Sequence, residues 1–535
     1  MTQPLVEVTD LTVDFPVGGA AEYVRAVDGI SFTLEEGRAL GIVGESGSGK
    51  STVAAALLGL HRGTGARAAG TVRVGGTDVA AATPAELRRL RGGTAAMVFQ
   101  DPLSSLDPYL AIGDQIAEVH RIHSGASRRE ARARAAEVLD RVGIADAARR
   151  SRARPHEFSG GMRQRALIAM ALACEPRLLI ADEPTTALDV TVQAQILDLL
   201  RGLREERGLG LLLVTHDVGV AAESADDLLV MRDGSAVEHG PVASVLAAPA
   251  RPYTRALLAA VPRLDGPRAS RPPTGSAPGA AHAPVVEAVG LRREFGRRGR
   301  RVTAVAGVSL AVRAGETLGI VGESGSGKST LGRMLVGLVE PDAGQVRHGG
   351  VATTGITDGV QMVFQDPVSS LNPRRSVGES IADPLRAAGE RDGAVLRARV
   401  GELLERVGLE AGHHDRYPHE FSGGQRQRVG IARALAPRPR LIVCDEPVSA
   451  LDVTTQAQVT ALLAELQAEF GIALVFIAHD LAVVRQVSDR VAVMRAGEIV
   501  EEGWVDEVYD RPAHPYTRRL LAAVPTLGGV RGVGV

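Results

Sequence analysis

Short apolar runs alternate with helix-like patterns along the chain, and the whole series occurs twice. Residues 40–43 and 318–321 are continuous apolar runs that predict buried strands. Each is followed by a Gly-rich turn and by a run that predicts a helix, residues 53–58 and 331–338. The segments that precede them alternate between apolar and polar residues and predict half-buried strands: residues 6–15, 31–34, 285–295 and 308–312. Strands that alternate with helices favour a mostly parallel sheet in a three-layer α/β core.

The repeat predicts two tandem modules of one α/β fold. Each module should have an N-terminal antiparallel β part and a helical lobe, at residues 112–142 and 377–407. A segment dense in Pro, Gly, Ser and Ala lies between the modules and predicts a flexible linker at residues 263–284. The modules are therefore placed at 1–262 and 285–535. The first is longer by 13 residues, in a Gly/Ala-rich segment at 61–94 that we expect on the surface.

The Gly-rich turn fits the phosphate-binding pattern G-x-x-x-x-G-K-[ST] in both copies. Its glycines let backbone N–H groups point at phosphate oxygens, its lysine reaches the outer phosphates, and its serine hydroxyl can ligate Mg²⁺. The candidate ATP-binding residues of the first copy are Gly44, Glu45, Ser46, Gly47, Ser48, Gly49, Lys50, Ser51 and Thr52. Those of the second copy are Gly322, Glu323, Ser324, Gly325, Ser326, Gly327, Lys328, Ser329 and Thr330.

The positions of the lysines argue against the alternative that each loop is an ordinary Gly/Ser-rich turn without a phosphate-binding role. The chain has 61 Lys and Arg residues, and Lys50 and Lys328 are the only lysines among them. Arginine, which fills every other cationic position, has a planar fork that does not replace a compact ammonium group at this place. Nucleotide binding at both loops follows.

Overall composition narrows the class of protein. The chain is 45% hydrophobic with a net charge of −2, which gives no support for a nucleic-acid-binding surface. We expect no signal peptide and no membrane span, because the longest apolar runs have the length of strands. Cys174 and Cys444 are the only cysteines. They are too few for a zinc site or a disulfide framework, and we expect small apolar core residues at both positions.

Two acidic residues end an apolar run in each copy: Asp182 and Glu183 in the first, Asp445 and Glu446 in the second. A buried strand delivers such carboxylates to the sheet edge where the phosphate loop also lies. The aspartate suits Mg²⁺ and the glutamate suits polarising a water for attack on the γ-phosphate. A solvated strand end is the alternative for one such pair, but the pair occurs twice, each time downstream of a phosphate loop.

A Ser-Gly-Gly sequence opens an Arg- and Ala-rich helical pattern between loop and acids, and by itself it is only a helix N-cap. The residues are Ser159, Gly160 and Gly161 in one copy and Ser422, Gly423 and Gly424 in the other. In its setting the sequence resembles the signature motif of the ATP-binding cassette (ABC) family. The resemblance covers nearly the whole chain. In the first copy the motifs follow in the order phosphate loop, Gln100, signature, Asp182-Glu183, Ala187-Leu188-Asp189 and His216. The second copy has the same order: phosphate loop, Gln365, signature, Asp445-Glu446, Ala450-Leu451-Asp452 and His479.

This resemblance implies two P-loop NTPase domains that pair head to tail. ATP would lie between the loop of one module and the signature of the other. Gln100 and Gln365 would join Ser51, Ser329 and the aspartates at Mg²⁺, Phe15 and Phe295 would stack on adenine, and His216 and His479 would contact the γ-phosphate. A core phenylalanine and a structural histidine are the alternatives for the last two pairs. Met162 departs from the family, which has glutamine at this position.

A Pro-Tyr-Thr-Arg segment near each module's C-terminus, at residues 252–262 and 514–525, is similar to that of oligopeptide, dipeptide and nickel importer cassettes. This likeness implies an ATP-hydrolysing subunit for uptake of peptides or a related small solute, two membrane permease subunits as partners, an indirect role for an extracytoplasmic binding protein, and no nucleic acid. One copy would serve each transporter, peripheral on the cytoplasmic face of the plasma membrane. Many such cassettes end in a Cys-rich iron–sulfur extension, but no cysteine lies here, so no cluster is expected. A soluble tandem cassette acting on ribosomes is the alternative.

Overall fold

A computed structural model describes residues 3–17, 22–186, 188–266, 283–297, 300–366, 370–449 and 451–525. These residues form two compact units, one mainly from residues 1–188 and 192–261 and the other mainly from residues 262–524. Of the predicted linker at 263–284, residues 267–282 lie outside the described residues. The module boundaries at 262 and 285 therefore stay a prediction.

The first unit begins with an antiparallel sheet of four strands in the order β2-β1-β4-β5. Its inward-facing positions are apolar and buried, as the alternation in the sequence predicts, and they include Val6, Val8 and Leu11. The strands are β1 (Val6–Val17), β2 (Glu22–Leu34), β4 (Arg67–Val74) and β5 (Thr77–Asp78).

The second sheet of this unit has six strands in the order β10-β9-β3-β8-β7-β6. All neighbours in it are parallel except β9 and β10. Strands β3, β7 and β8 are buried along their whole length, which matches their continuous apolar sequences. The strands are β3 (Ala39–Val43), β6 (Ala95–Val98), β7 (Leu178–Asp182), β8 (Gly210–Thr215), β9 (Asp227–Arg232) and β10 (Ser235–Pro241).

Helices of the first unit follow the strands of this sheet or form the helical lobe. The predicted helical stretch at 112–142 is divided between two helices because Gly125 ends the first in the left-handed conformation, with φ 70°. The helices are α1 (Lys50–Leu57), α2 (Pro84–Arg89), α3 (Pro102–Ser105), α4 (Ile112–Ser124), α5 (Arg128–Arg141), α6 (Ala147–Arg150), α7 (Gly160–Leu172), α8 (Val190–Arg207), α9 (Val218–Ser224), α10 (Val242–Ala247) and α11 (Pro252–Ala260).

The second unit repeats both sheets, in the orders β12-β11-β14-β15 and β16-β17-β18-β13-β19-β20. Its strands are β11 (Val286–Arg297), β12 (Arg300–Val312), β13 (Thr317–Val321), β14 (Ala343–His348), β15 (Val351–Thr353), β16 (Val360–Val363), β17 (Leu441–Asp445), β18 (Ala473–Ile477), β19 (Arg490–Arg495) and β20 (Glu498–Trp504). Its helices are α12 (Lys328–Leu335), α13 (Val377–Ala387), α14 (Gly393–Arg406), α15 (Gly423–Leu435), α16 (Val453–Phe470), α17 (Leu481–Val487), α18 (Val505–Asp510) and α19 (Pro515–Ala522).

The predicted fold class is confirmed, since each unit combines an antiparallel β part, a mostly parallel sheet and a helical lobe. Some boundaries differ. β2 and β12 begin about nine residues before the predicted starts at 31 and 308, because residues there, many of them exposed, pair with β1 and β11. The segment at 61–94 of the first module is not all surface. It includes α2, and Leu87 and Leu90 lie in the core.

No helix in the described part of the chain combines the length and apolar character needed to cross a bilayer.

The two cysteines differ in burial. Cys444 lies within β17 and is fully buried, which confirms a core position and raises the pKa of its thiol to about 12. Cys174 is only half-buried, and its thiol lies 3.9 Å from the Val119 carbonyl oxygen. The core prediction is therefore wrong for Cys174, because that residue follows α7 instead of lying in a strand.

This difference predicts unequal effects of the same substitution. Cys444→Ser places a hydroxyl in an apolar strand and should destabilise the second unit by about 1–3 kcal/mol. Cys174→Ser should cost less than about 1 kcal/mol, since its site is open to water. Urea unfolding of the two variants measures this, with Cys444→Ala as the control for lost volume. Equal midpoints for Cys444→Ser and Cys174→Ser would contradict the burial argument.

Candidate nucleotide-binding sites

The phosphate loop of the first unit connects the end of β3 to the start of α1. Gly49, the residue before Lys50, has φ 94°, and a Cβ there would overlap the Ala26 carbonyl oxygen. In the second unit Gly327 has φ 102° and lies in the same way against the Ala304 carbonyl oxygen. Only glycine fits both the conformation and the space. The glycine before each loop lysine therefore has a steric cause.

Each loop lysine is folded back over its own loop. The Lys50 side chain is 5% exposed, and its Nζ donates to the carbonyl oxygens of Gly44 at 2.8 Å and Glu45 at 2.7 Å. Lys328 Nζ donates to Gly322 at 2.7 Å and Glu323 at 2.9 Å. Burial lowers the pKa of Lys328. Both ammonium groups are thus held against the backbone of the loop that the sequence predicts to bind phosphate.

The loop serine and the strand-end aspartate are in direct contact. Ser51 Oγ donates to Asp182 Oδ1 at 3.0 Å, and Ser329 Oγ donates to Asp445 Oδ1 at 2.8 Å. Burial raises the pKa of Asp182 to about 6, although the Ser51 hydrogen bond lowers it. Burial raises the pKa of Asp445 as well. A buried carboxylate beside a hydroxyl is the kind of oxygen pair that a hard cation such as Mg²⁺ prefers.

The carboxylates of the two candidate catalytic glutamates contact other predicted site residues, and Glu183 in the first unit has three partners. Glu183 Oε2 accepts from Gln100 Nε2 at 2.8 Å and from Thr186 Oγ1 at 2.9 Å, and Oε1 lies 3.2 Å from His216 Nδ1. In the second unit, Glu446 Oε2 accepts from Gln365 Nε2 at 2.7 Å and lies 3.5 Å from His479 Nδ1. The structure therefore brings the predicted lysine, serine, glutamine, aspartate, glutamate and histidine together within each unit.

These contacts move the pKa values of glutamate and histidine apart. Burial raises the pKa of Glu183, but the hydrogen bond and charge of His216 outweigh it, so the pKa lies below the usual value. For His216, burial lowers the pKa and Glu183 raises it more, so the pKa lies above the usual value. Glu446 and His479 shift in the same directions for the same reasons. Each pair favours a glutamate that is ionised and able to accept a proton.

The backbone at both glutamates is in the left-handed region, with φ 47° at Glu183 and 48° at Glu446. A non-glycine residue in this region costs about 1–3 kcal/mol and is held there by its surroundings. Glu183 N–H donates to the Val214 carbonyl at 2.8 Å, and Glu446 N–H donates to the Ile477 carbonyl at 2.9 Å. The same left-handed conformation therefore occurs at the equivalent glutamates of both units.

The Ser-Gly-Gly sequence lies at the start of α7 in the first unit and of α15 in the second, not at the helix that follows the phosphate loop. Ser159 and Ser422 make local contacts there. Each serine is the N-cap of its helix, accepting from the N–H of Met162 or Gln425 at 3.3 Å. Gln425 also returns a bond, since its Oε1 accepts from Ser422 N–H at 3.0 Å. Met162 has no side-chain oxygen to do this. The family departure thus removes half of a reciprocal cap in the first unit.

The second signature glycines, Gly161 and Gly424, are required by packing. A Cβ on Gly161 would overlap the side chain of Val192, and a Cβ on Gly424 would overlap that of Thr455. The first glycines, Gly160 and Gly423, have room instead, with the nearest atom 3.8 Å from a Cβ. Folding therefore does not explain glycine at Gly160 and Gly423.

The two adenine-stacking candidates differ in their surroundings. The Phe15 ring is partly buried and meets the His61 ring edge-on, with centroids 5.3 Å apart. The Phe295 ring is 43% exposed, and the Arg293 guanidinium lies 5.0 Å from its centroid. Stacking on adenine stays a prediction for both residues.

Sequence reasoning missed Thr186, whose hydroxyl bonds the Glu183 carboxylate. The equivalent Ser449 donates to the backbone oxygen of Glu446 at 3.1 Å instead. A residue with a hydroxyl group stands three positions after each of the two glutamates, and this pattern could have indicated a hydrogen-bond partner for them. Of the neighbouring Ala-Leu-Asp motif, Ala187 and Ala450 lie outside the described residues.

Two protein-family models match the chain. The model described as ABC transporter matches residues 27–186 and 305–449, more than half of the sequence. The chain belongs to the ABC transporter family. The model described as oligopeptide/dipeptide transporter, C-terminal region matches residues 237–285 and 500–533. ABC ATP-binding proteins hydrolyse ATP, and this ABC protein is therefore an ATPase with two cassettes in one chain.

Curated relatives resemble this ABC protein over almost its whole length. The glutathione import ATP-binding proteins GsiA of Shigella sonnei (strain Ss046) and Escherichia coli (strain K12) are each 47% identical over 544 residues, which is 94% of this chain and 87% of each relative. GsiA of Salmonella paratyphi A is 46% identical over 566 residues, 98% of this chain and 90% of the relative. Among solved structures, a post-hydrolysis dimer of an ATP-binding cassette with ADP and Pi is 32% identical, with a TM-score of 0.39 over 41% of this chain and 98% of that one.

Proposed function

We propose that this ABC protein is the ATPase subunit of an importer for di- or oligopeptides or a related small solute. The observation that carries the proposal is the oligopeptide/dipeptide transporter C-terminal region, which matches near the end of both modules. Relatives at 46–48% identity are named as import proteins for glutathione, which is itself a small peptide. Peptides, including glutathione, are therefore the first substrates to test.

We propose that the two modules form two composite ATP sites by pairing head to tail. One site would contain Lys50, Ser51, Asp182, Glu183 and His216 and receive Ser422, Gly423 and Gly424 from the other module. The other site would contain Lys328, Ser329, Asp445, Glu446 and His479 and receive Ser159, Gly160 and Gly161. Three observations support this: each unit has a complete cluster, Ser-Gly-Gly opens a 13-residue helix in each, and the first signature glycine has no packing reason. The free N–H groups at a helix N-terminus are suited to phosphate.

Within each site the side chains would divide the chemistry among them. Loop N–H groups and the lysine ammonium would bind the β- and γ-phosphates. The serine and aspartate oxygens, with the glutamine amide, fit Mg²⁺, which would neutralise developing charge on the phosphates. The glutamate would accept the proton of the attacking water, because its carboxylate is held ionised by the histidine. The histidine would in turn contact the γ-phosphate through its other ring nitrogen.

One copy of this chain would supply both cassettes to two membrane permease subunits, while an extracytoplasmic binding protein delivers the solute without touching this chain. The protein would lie on the cytoplasmic face of the plasma membrane through these partners.

Reconstitution tests the function. The chain, its two permeases and the binding protein are placed in liposomes with ATP inside, and uptake of labelled dipeptides, oligopeptides, glutathione and Ni²⁺ is compared. ATP-dependent uptake of at least one peptide is expected, with a Glu183→Gln and Glu446→Gln double variant as the control. Failure to associate with permeases, together with co-sedimentation with ribosomes, would instead support the tandem-cassette alternative.

A further inference from the structure

The C-terminal Pro-Tyr-Thr-Arg segment of the second unit is fixed by a carboxylate of β20. Glu501 accepts from the N–H groups of Ala513 at 2.7 Å and His514 at 3.1 Å, directly before α19. Tyr516, in the first turn of α19, is then 3% exposed. The segment is therefore a packed part of the unit, with its tyrosine directed inward.

The Tyr516 hydroxyl contacts the phosphate loop. It accepts the N–H of Glu323 at 3.0 Å, across 193 residues of sequence. The carbonyl of the same residue accepts from Lys328 Nζ at 2.9 Å. Glu323 is thus held by the tyrosine at its N–H and by the lysine at its carbonyl. The position of the Lys328 ammonium is consequently linked to Tyr516 through one residue.

A second contact holds the loop from the same side. Gly497, in the turn between β19 and β20, donates its N–H to the Ser326 carbonyl at 2.9 Å. The Arg495 guanidinium, just before this turn, lies 5.1 Å from the centroid of the Tyr516 ring. Burial raises the pKa of Tyr516 to about 12, so the hydroxyl stays neutral at physiological pH. Two of the contacts that the loop makes with other segments, at Glu323 and at Ser326, therefore come from the C-terminal part of the unit.

We propose that Tyr516 is a positioning residue for the nucleotide: its hydroxyl fixes the Glu323 residue and thereby places the loop and Lys328 for phosphate binding. This assigns a role to a residue of the C-terminal Pro-Tyr-Thr-Arg segment. The inference rests on the proposed ATP site at Lys328. Tyr516 does not contact the reacting atoms in this account, and it acts through the loop.

The first unit repeats the contacts that hold the C-terminal segment and the turn. Glu238 accepts from the N–H groups of Ala250 at 2.8 Å and Arg251 at 3.1 Å, and the Arg232 guanidinium lies 5.0 Å from the Tyr253 ring centroid. Gly234 N–H donates to the Ser48 carbonyl at 3.2 Å. The anchoring of the segment and of the turn is therefore common to both modules.

The test compares Tyr516→Phe with Tyr509→Phe in the full chain. Tyr509 is a matched control, because it is a buried tyrosine in the neighbouring α18 whose hydroxyl donates to the Leu481 carbonyl at 2.8 Å, away from the loop. Both variants carry Lys50→Ala, so that titration with a fluorescent ATP analogue reports the second site. Loss of one hydrogen bond should weaken binding about three- to tenfold in Tyr516→Phe. Tyr509→Phe should bind the ATP analogue as tightly as the Lys50→Ala parent does, although its thermal midpoint should fall about as much as that of Tyr516→Phe.

Three outcomes separate the claims. Equal affinity of Tyr516→Phe and its parent overturns the positioning role. Binding that survives Lys328→Ala in the Lys50→Ala chain would instead overturn the proposed site itself. Should Tyr516→Phe not fold, amide hydrogen exchange in the unaltered chain decides: slow exchange at Glu323 is expected, and exchange as fast as in an open loop would overturn the proposal.

Discussion

Replacing both Glu183 and Glu446 by Gln should lower ATP turnover by about 10²–10⁴-fold while ATP binding survives. Glutamine keeps the shape of the side chain and can still bond the glutamine and histidine partners that each carboxylate has. It cannot accept the proton of the attacking water. Binding depends on the lysines and the loop N–H groups, which the substitutions leave in place. Phosphate release and equilibrium binding of ATP measure the two effects.

The single variants determine whether the sites depend on one another. If the two sites hydrolyse ATP cooperatively, Glu183→Gln or Glu446→Gln alone should reduce turnover far below half of that of the unaltered chain. If the sites are independent, each single variant should keep about half of that turnover. Glu206→Gln is a suitable control, because Glu206 forms an exposed ion pair with Arg141. Unchanged turnover in Glu446→Gln together with loss in Glu183→Gln would mean that the Lys328 site only holds nucleotide.

Gly423→Asp should lower turnover by about 10²–10³-fold if the second module's signature completes the site that contains Lys50. A Cβ fits at Gly423, and an acidic residue in the first turn suits the helix dipole of α15, so the module itself should fold. The added carboxylate would instead repel the γ-phosphate. Gly423→Ala is the control and should retain most activity. Gly160→Asp is the equivalent change in α7, directed at the Lys328 site.

Steady-state ATPase and the thermal midpoint are measured side by side for these variants. A Gly423→Asp protein that is folded and hydrolyses ATP at the original rate would show that the signature does not face nucleotide. Gly424 is unsuitable for this experiment, since any Cβ there overlaps Thr455 and would disturb folding.

The sequence predicts those parts of the fold whose pattern lies within one continuous stretch of residues. β3 and β7 are continuous apolar runs, and the loop between Gly44 and Lys50 is a local motif in which the left-handed φ at Gly49 requires glycine. The early part of β2 was not predicted, because its exposed positions carry no apolar alternation and are ordered by pairing with β1. α2 was missed because its Gly- and Ala-rich surroundings conceal Leu87 and Leu90.

The same distinction holds for the sites. Lys50, Asp182 and Glu183 lie in recognisable motifs, and the structure brings them within reach of the predicted glutamine and histidine. The contact of Tyr516 with Glu323 joins residues 193 positions apart, and no local pattern encodes such a contact. The unequal partners of Glu183 and Glu446 likewise depend on where the Thr186 and Ser449 hydroxyls point.

Crosslinking within the transporter complex tests the central claim, that one chain forms both ATP sites, most directly. Cys174→Ser and Cys444→Ala remove the native thiols, and Ser46→Cys and Ser422→Cys place new thiols at exposed positions of one loop and the opposite signature. The chain also carries Glu183→Gln and Glu446→Gln, so that ATP stays bound. A short thiol crosslinker should then join the two cysteines within one chain when ATP is present, giving a single-chain product whose mobility in denaturing gels differs from that of the uncrosslinked chain. A product of twice the chain mass, or no ATP-dependent product, would contradict the account.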